Sequence, residues 1–429
     1  MRRTAARHAE AWSPLRRHLT MALLCLVGTF NLIDRQVITI LLEPIRREFG
    51  ASDTVMGLMT GSAFALLYGL ASIPLARMAD RYPRRLVIAA CLGLWSLLTM
   101  AGGLAGSILI LAATRLGVAI GESGSGPATY SVMADLYGRH SRAKAFAAYA
   151  GSTSIGIGMA VIVGGWLNDA IGWRLTLVAV GAPGLVLALL VLFAFKEPAR
   201  GMGDDNASAG ADQSYSFGET LRYLWYLRPF RYGVLVAGFG GATGYGMLFW
   251  GPTFLIRVHG LAPAQAGLYF GATSIAALVI GQIVSGILMD IAARKDLRAY
   301  MWFAAGGCLL AVPFGLLFTF ASDWRIAIMG FGLLSFFISS HNMGSVVIAQ
   351  TMTPPRMRAT ATMIVSLATL LFGSGIAPVV IGAVSDLLKG TEGDLAIRYS
   401  VSSALGFLLF ASLSAVIAAR WLRADRHAT

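Results

Sequence analysis

The stretch Ala76-Arg-Met-Ala-Asp80-Arg81-Tyr-Pro-Arg84-Arg85 has a counterpart about half the chain later, in Gly286-Ile-Leu-Met-Asp290-Ile-Ala-Ala-Arg294-Lys295. In each copy an Asp is followed four residues on by two consecutive cations, and each copy lies between two apolar runs. Duplication of a six-span unit is the simplest explanation of the match. Because the Asp can accept hydrogen bonds at the start of the next helix or pair with cations, both loops are predicted to latch a gate. A solvated turn would explain the cations but not the matched spacing.

The apolar runs around these loops indicate a membrane protein. Of the 429 residues, 56% are hydrophobic and only 13% are charged, about half the charged share of a soluble domain. These values exclude a soluble enzyme, a disordered chain and a disulfide scaffold. Apolar runs long enough to span a bilayer begin near residues 19, 55, 86, 106, 145 and 174, and again near 232, 264, 299, 325, 358 and 398. The sequence therefore predicts an all-α membrane protein with twelve transmembrane helices in two pseudo-symmetric six-helix bundles.

The distribution of Lys and Arg predicts the orientation. Most of the 34 cations lie in the two termini, the central loop and the loops after spans two, four, eight and ten. Because cytoplasmic loops carry the excess of Lys and Arg, both termini and both gate loops are predicted to face the cytoplasm. The chain is expected to be a multi-pass protein of the inner (plasma) membrane. The net charge of +13 is then a signal of topology and not of a nucleic-acid partner.

A polar segment after the sixth span divides the chain. Residues 1–196 are predicted to form the first bundle, residues 197–229 a cytoplasmic linker, and residues 230–429 the second bundle. Side chains recur at helical spacing late in this linker, at Phe217, Leu221, Leu224, Trp225 and Arg228. The spacing is typical of a short amphipathic helix on the membrane surface, although a simple lead-in to span seven explains it equally well.

The sequence contains neither of two common motifs of enzyme active sites. Neither a GxxxxGK[ST] loop nor an HExxH helix occurs. Cys25, Cys91 and Cys308 lie far apart inside apolar runs, which is typical of small buried side chains and not of a metal clip or a disulfide framework. No catalytic activity, cofactor or metal is therefore predicted, and the protein is expected to work as a monomer among membrane lipids.

Four charged residues lie within the predicted spans, and all of them are in the first half: Asp34, Arg35, Arg115 and Glu122. Ionisable groups at membrane depth are expensive, which makes these four the strongest functional candidates. Arg115 and Glu122 are seven residues apart and share one face of span four. We expect Asp34 to pair with Arg115 and Arg35 to pair with Glu122, with the two carboxylates carrying protons as the pairs separate. A static salt-bridge network that holds the helices together is the alternative.

The second half contributes candidates for a substrate cavity. His341 and Asn342 lie in span ten, where they could contact a polar head group, although a hydrogen bond in helix packing is the more frequent role of such residues. Tyr245 and Trp250 lie in span seven, where aromatic side chains could line a path for an acyl chain or belong to the interfacial belt.

The repeated loop resembles the signature of the major facilitator superfamily, and this resemblance covers nearly the whole chain. Matching pieces also occur in Arg115-Leu-Gly-Val-Ala-Ile-Gly121-Glu122 and in Gly172-Trp173-Arg174. The chain departs from the superfamily pattern where Ala76 and Pro83 replace glycines of the loop. It also has Ala160-Val161 where the antiporter motif has Gly-Pro, so that motif does not support an antiporter.

The first half is most similar to the Spinster branch of that superfamily, through Asn31-Leu-Ile-Asp34-Arg35-Gln36, Asp80-Arg81-Tyr82-Pro83-Arg84-Arg85, Gly121-Glu122 and Ser131-Val-Met-Ala-Asp135-Leu136. Members of that branch are associated with the movement of sphingolipids and lysophospholipids. The organic-anion symporter branch shares the Asp-Arg pair of span one and the Arg…Glu element of span four. The resemblance implies the major facilitator fold, with the substrate site between two halves.

The predicted function is secondary active transport. The expected substrate is an amphiphilic anion such as a lysophospholipid or a sphingoid phosphate, moved by alternating access and coupled to protons. A proton-coupled carrier of a small organic anion, or a multidrug efflux protein, is the alternative.

Overall fold

The computed structural model describes residues 12–202, 217–354 and 357–424, and these residues are helical almost throughout, with no strand among them. The helices are α1 (Pro14–Phe49), α2 (Asp53–Thr60), α3 (Ser62–Arg81), α4 (Arg84–Gly103), α5 (Ile108–Leu136), α6 (Arg139–Ala194), α7 (Phe217–Tyr226), α8 (Arg228–His259), α9 (Pro263–Ala293), α10 (Ala299–Phe320), α11 (Trp324–Ile338), α12 (Ser340–Thr351), α13 (Arg358–Ala368), α14 (Ala377–Glu392), α15 (Ala396–Ser403) and α16 (Leu405–Ala424). A π-helical segment, Thr369–Ile376, joins α13 to α14. The predicted all-α membrane fold is confirmed.

Ten helical stretches of the described chain are long and apolar enough to cross a membrane. Two of them, Lys144–Ala194 and Thr360–Leu422, contain 51 and 63 residues. As straight helices they would be about 75 Å and 95 Å long, more than twice the hydrocarbon thickness of about 30 Å. Each is interrupted once by a glycine with positive φ, Gly172 in the first and Gly393 in the second. Each long stretch is therefore long enough for two crossings, which reconciles ten stretches with twelve predicted spans.

The break in α6 depends on glycine. Gly172 has φ 77° and ψ 164°, a region that only glycine occupies at low cost. The next residues fasten the break to the end of α4, because the Arg174 guanidinium donates hydrogen bonds to the carbonyl oxygens of Gly103 and Ala105 at 3.2 Å and 2.6 Å. These carbonyls belong to a helix end that has no further helical N–H to bind, so Arg174 supplies the missing donors.

The chain forms two compact units. One comprises Met1–Leu41 and Leu66–Ala211, and the other comprises Leu42–Ala65 and Asp212–Thr429. The division falls inside the predicted linker, of which residues 203–216 lie outside the described chain. The end of α1, all of α2 and the start of α3 belong to the second unit, an assignment that the predicted boundaries did not include.

Helix α7 occupies the segment for which the spacing of apolar residues indicated an amphipathic helix. Leu224 of this helix is fully buried, and it packs in a cluster with Phe230 of α8 and Val365 of α13. Helix α7 is therefore held against the second unit by an apolar anchor.

Candidate functional site

The first unit buries charged side chains of α1 and α5. Asp34, Arg115 and Glu122 are each no more than 2% exposed, and Arg35 is half-buried. Their burial follows from the sequence, because each lies within an apolar run whose other residues face helices or lipid. Ionised groups in such a setting are expensive unless they are partnered, so their contacts decide what they can do.

Arg115 binds the backbone of α1 and not the carboxylate that we expected. Its guanidinium donates to the carbonyl oxygens of Asp34 and Arg35 at 3.3 Å and 3.2 Å. The carboxylate oxygens of Asp34 and Glu122 accept no hydrogen bond from any described residue. The expected cross-pairing of Asp34 with Arg115 and of Arg35 with Glu122 is therefore not hydrogen bonded. The geometry of α1 explains the difference, because adjacent side chains point about 100° apart and a guanidinium aimed between them meets the main chain.

Arg35 contacts an aromatic ring. Its guanidinium carbon lies 5.1 Å from the centre of the Tyr68 ring, the range of a cation–π interaction. Glu122 remains within electrostatic range of both Arg35 and Arg115. The four residues thus form one electrostatic group. In it, Arg115 binds backbone carbonyl groups, Arg35 lies over an aromatic ring, and neither carboxylate accepts a hydrogen bond from the described residues.

Several neutral groups of the first unit share this condition. The side chains of Gln36, Trp95 and Thr129 are buried, and each has a polar atom with no hydrogen-bond partner in the described chain. Trp95 approaches Asp34, but its indole N–H does not meet hydrogen-bond geometry. Buried polar groups are normally satisfied, so a set of unsatisfied ones marks a place that can accept a ligand, water or a proton. Gln36 stood in the motif quoted above, whereas no sequence pattern indicated Trp95 or Thr129.

The second unit contains a buried ion-pair network that the sequence did not predict. Arg257 of α8 binds both carboxylate oxygens of Asp53, at 2.7 Å each, and also donates to Glu43 of α1. The side chains of Arg257, Glu43 and Asp53 are at most 5% exposed. Arg46 and Arg47 add further hydrogen bonds to Glu43 from the next turn of α1. Every carboxylate oxygen in this network has a donor.

Helix α2 is held to α14 by the same network. The Ser385 hydroxyl donates to Asp53 at 2.7 Å, and Asp386 accepts from the backbone N–H groups of Asp53 and Thr54 at 3.0 Å and 2.8 Å. The two helices touch so closely that a Cβ on Gly382 would lie 2.4 Å from the carbonyl oxygen of Asp53. Asp386 thus acts as a cap for the first turn of α2.

The expectation that buried charge is confined to the first half of the chain was wrong. Arg257 lies in the last turn of α8, and Glu43 lies near the end of α1. A search for apolar runs assigns such positions to loops, although the helices extend beyond those runs. The spacing of Glu43 to Arg46 and Arg47, three and four residues on, was the one local signal of this network.

In the first copy of the repeated loop, Arg84 is the central residue. It is 1% exposed and binds the carboxylates of Asp135 and Glu197, the latter at 2.9 Å. It also donates to the Ser131 hydroxyl and to the carbonyl oxygen of Pro198, at 3.0 Å and 2.9 Å. The other predicted gate residues of this copy, Asp80, Arg81 and Arg85, have exposed side chains.

The segment after α6 closes this loop network. Arg200 donates to the backbone carbonyl oxygens of Ala79 and Tyr82 at 2.7 Å and 2.9 Å, and also to that of Asp80. Burial raises the pKa of Glu197, but the hydrogen bonds from Arg84 outweigh burial and hold that pKa below its usual value. Glu197 and Arg200 were missed because they lie beyond the motif, in what the sequence indicated as linker.

The second copy of the loop makes fewer contacts. The Asp290 carboxylate accepts a hydrogen bond from the Tyr300 hydroxyl at 2.8 Å. Arg294 and Lys295 both have exposed side chains. The matched spacing of the two copies therefore does not produce matched contacts, because the second copy has no buried cation corresponding to Arg84.

His341 and Asn342 differ in solvent exposure, although they are adjacent in sequence. His341 is buried, with Nδ1 on the carbonyl oxygen of Ile338 and with Nε2 lacking a partner in the described chain. It packs on α8, where a Cβ at Gly240 would come 2.3 Å from the imidazole ring. Asn342 has an exposed side chain, so the two residues do not form one polar patch.

The two aromatic residues predicted in span seven, Tyr245 and Trp250, also differ in burial. Tyr245 is half-buried, and its ring stacks at 6.4 Å on that of Phe249. Trp250 is fully buried, and its indole N–H donates to the carbonyl oxygen of Pro378 at 2.9 Å. The indole N–H of Trp250 is therefore used in helix packing, and the place of its ring along a substrate path stays a prediction.

Comparison with known proteins adds to this geometry. A family model described as Major Facilitator Superfamily matches residues 24–378. An MFS-type efflux pump of Mycolicibacterium smegmatis is 32% identical, over 98% of this chain and 95% of the relative. Protein spinster homolog 3 of Danio rerio is 28% identical, over 88% of this chain and 78% of the relative. The crystal structure of a bacterial homologue of the human lysosomal transporter Spinster, in an inward-facing and unoccupied conformation, superimposes with a TM-score of 0.87 at 28% identity, over 96% and 99% of the two chains.

Proposed function

The chain belongs to the major facilitator superfamily of transporters, and on that premise we propose that it carries an amphiphilic anion by alternating access, coupled to protons. A lysophospholipid or a sphingoid phosphate represents the proposed substrate class. The coupling residues in this proposal are Asp34 and Glu122, and the cations that meet the anion are Arg35 and Arg115.

The two buried carboxylates without hydrogen-bond donors are the observation that carries the proposal. A carboxylate kept ionised in such a place lacks the contacts that normally offset its lost hydration. Intramembrane acids of this kind mark proton pathways in transporters. Taking up a proton removes the unbalanced charge of Asp34 or Glu122, and releasing it restores an anion beside Arg115. Such a cycle links proton binding to the conformation of α1 and α5.

The anionic nature of the substrate is supported by the same cluster. Arginine remains charged at any physiological pH, so Arg35 and Arg115 keep their positive charge when the carboxylates are protonated. The protonated state of the cluster therefore carries a net positive charge, which favours an anionic head group. The resemblance to the Spinster branch and the 28% identity to a spinster homologue support a lipid as the bearer of that head group.

The repeated loops are proposed to be the cytoplasmic latch of the same transport cycle. In this proposal Arg84 is the central cation of the first loop, and Asp290 is the anchor of the second. The two bundles of the alternating-access cycle are proposed to be residues 1–196 and 230–429, with both termini in the cytoplasm of a cell whose inner membrane holds the protein.

Asp34→Asn tests the coupling. We expect purified protein in proteoliposomes to lose uptake driven by a pH gradient, because asparagine cannot take up the proton, while exchange at equal pH is partly retained. Asp394→Asn removes an exposed Asp and is the matched control. If Asp34→Asn and Glu122→Gln both keep the pH dependence of the unsubstituted protein, proton coupling through this cluster is refuted.

A second candidate function is the export of drugs, because a 32% identical relative is named an MFS-type efflux pump. A small organic anion as the proton-coupled substrate is the other alternative. A thermal-shift screen against lysolipids, sphingoid bases, organic acids and cationic dyes, at two pH values, separates the three. Our proposal requires the largest shift from a lipid with a negative head group, and a shift from dyes or organic acids alone would overturn it.

A further inference from the structure

An apolar groove lies between α7, α8 and α13, all in the second unit. It encloses about 380 Å³ and is lined by Leu224, Trp225, Phe230, Val234, Leu235 and Ile364. A volume of this size falls within the range of small-ligand pockets. Because Leu224 and Phe230 are anchored in the apolar cluster described above, the groove is formed without a ligand.

The groove lies beside the start of α8, a helix long and apolar enough to cross a membrane. Helix α7 ends at Tyr226, and the spanning helix α8 begins two residues later, at Arg228. Three large apolar side chains of α7 are exposed on the surface of the protein: Leu221 at 43%, Trp225 at 65% and Tyr226 at 72%. Such a face, beside the start of a span, is typical of a helix that lies in the interface between lipid and water. Bilayer lipids therefore have direct access to the groove.

One arginine, Arg231, lines the groove, and further arginines lie in the same segment of the chain. The Nε atom of Arg231 is buried without an acceptor in the described residues, and its guanidinium carbon lies 5.9 Å from the centre of the Trp225 ring. Arg222 and Arg228 have exposed side chains in the same ten-residue segment. Glu219 is the one acid of α7. The groove thus combines an excess of positive charge with a buried donor that lacks an acceptor.

We propose that this groove binds an anionic phospholipid of the surrounding bilayer, with an acyl chain against Val234 and Ile364 and the phosphate on Arg231. The apolar lining accounts for the acyl chain, and the Nε–H of Arg231, which lacks an acceptor in the described residues, accounts for the phosphate, whose oxygens are strong acceptors for arginine. The cations of the segment favour a lipid with net negative charge over a zwitterionic one. The site is separate from the transport cluster and serves a lipid that stays bound to the protein.

Native mass spectrometry of the delipidated protein tests the proposal. We expect phosphatidylglycerol to bind about fivefold more tightly than phosphatidylcholine with the same chains, because its phosphate charge is not offset by a choline cation and one protein cation nearby favours a net negative lipid by about this factor. Arg231→Gln should abolish this preference. Val234→Trp should fill the groove and weaken the binding of both lipids. Arg325→Gln is the matched control, because the guanidinium carbon of Arg325 also lies near a tryptophan, 5.4 Å from the centre of the Trp324 ring, and Arg325 lies outside the groove.

Quenching of tryptophan fluorescence locates the lipid. Phosphatidylglycerol with a brominated acyl chain should quench the unsubstituted protein more than Trp225→Phe, because Trp225 lines the groove. Inorganic phosphate at millimolar concentration should not displace the lipid. Equal binding of the two lipids, a preference that survives both Arg231→Gln and Val234→Trp, or complete displacement by phosphate would each overturn the proposal, the last in favour of a site for a free anion.

Discussion

The two units bury charge in opposite ways. In the second unit, Arg257 holds Glu43 and Asp53 so that every carboxylate oxygen has a donor. In the first unit, the carboxylates of Asp34 and Glu122 have none among the described residues, although they are just as deeply buried. The same residue types, at similar exposure, thus form a closed network in one place and an open cluster in the other.

We propose that the difference separates a structural role from a functional one. Removing one member of a closed network leaves the others buried and charged, which is costly, so such a network resists change. In an open cluster the buried carboxylates have no hydrogen-bond donors to lose. Binding of a proton or a ligand can therefore stabilise it. Burial of charge alone therefore does not indicate a functional site, and the proposed function depends on the added observation that Asp34 and Glu122 lack hydrogen-bond donors in the described residues.

The largest effect is expected from Arg257→Met. This substitution leaves Glu43 and Asp53 buried without their main partner and should lower the free energy of unfolding by about 3–5 kcal/mol. Denaturant unfolding in detergent micelles measures it. Arg325→Met, which removes an exposed guanidinium, should cost no more than about 0.5 kcal/mol. Equal losses in the two variants would show that the network does not hold the unit together.

The same isosteric substitution in both clusters sharpens the comparison. Asp53→Asn should cost about 2–3 kcal/mol, because hydrogen bonds to a charged acceptor become bonds to a neutral one or are lost. Asp34→Asn should change stability by less than about 0.5 kcal/mol or increase it, since its carboxylate accepts no hydrogen bond. Unfolding of the two variants under one set of conditions gives the difference. If Asp34→Asn were the more damaging change, the distinction between closed and open clusters would fail.

A smaller contrast is expected between two buried serines of the second unit. Ser385 donates to Asp53, whereas the Ser374 hydroxyl has no partner in the described residues. Ser385→Ala should therefore lower the free energy of unfolding by about 1 kcal/mol, and Ser374→Ala should leave it nearly unchanged. Melting temperatures of the two variants, compared with that of the unsubstituted protein, test this contrast.

The smallest effect is a pH dependence at the first loop. The pKa of Glu197 is lowered in the folded protein because the hydrogen bonds from Arg84 outweigh burial, which raises it. The unfolded chain therefore binds a proton first as the pH falls, and stability is lost as the pH drops through the folded-state pKa. The contribution of Glu197 should be complete above pH about 4.3, the ordinary pKa of Glu, and should be lost progressively as the pH falls from there through the lower folded-state pKa.

Melting temperatures measured from pH about 6 down to pH about 3.5 test this effect, across the ordinary pKa of Glu. Glu197→Gln should show a flatter acid profile than the unsubstituted protein, whereas Glu392→Gln, at an exposed site, should not. Identical profiles in the two variants would mean that Arg84 gains nothing from the ionised Glu197.

The fold could be predicted from the sequence because helices in a membrane are set by local composition. The apolar runs gave spans that match the helices, and the resemblance to the major facilitator superfamily is confirmed. The break at Gly172 agrees with the apolar runs predicted to begin near residues 145 and 174. The extent of each helix was less predictable, since α1 and α8 continue past their apolar runs into charged residues.

The site could be predicted only as far as single residues. Asp34, Arg115 and Glu122 had to be buried, given where they stand in apolar runs. Their partners depend on how each helix is rotated about its axis, which spacing within one helix does not specify. The contact between Arg257 and Glu43 joins residues 214 positions apart, so no local pattern could indicate it. Proximity of distant side chains is a property of packing and not of sequence motifs.

The break at Gly172 restricts how that end of the molecule can be studied. Because a single residue separates the two parts of α6, no loop projects there for a protease, an epitope tag or an antibody to reach. Arg174 already occupies the neighbouring carbonyl groups, so an inserted peptide would displace it. Experiments that label one side of the membrane are better aimed at the segment around Gly393, where the chain passes from α14 to α15 through three residues outside either helix.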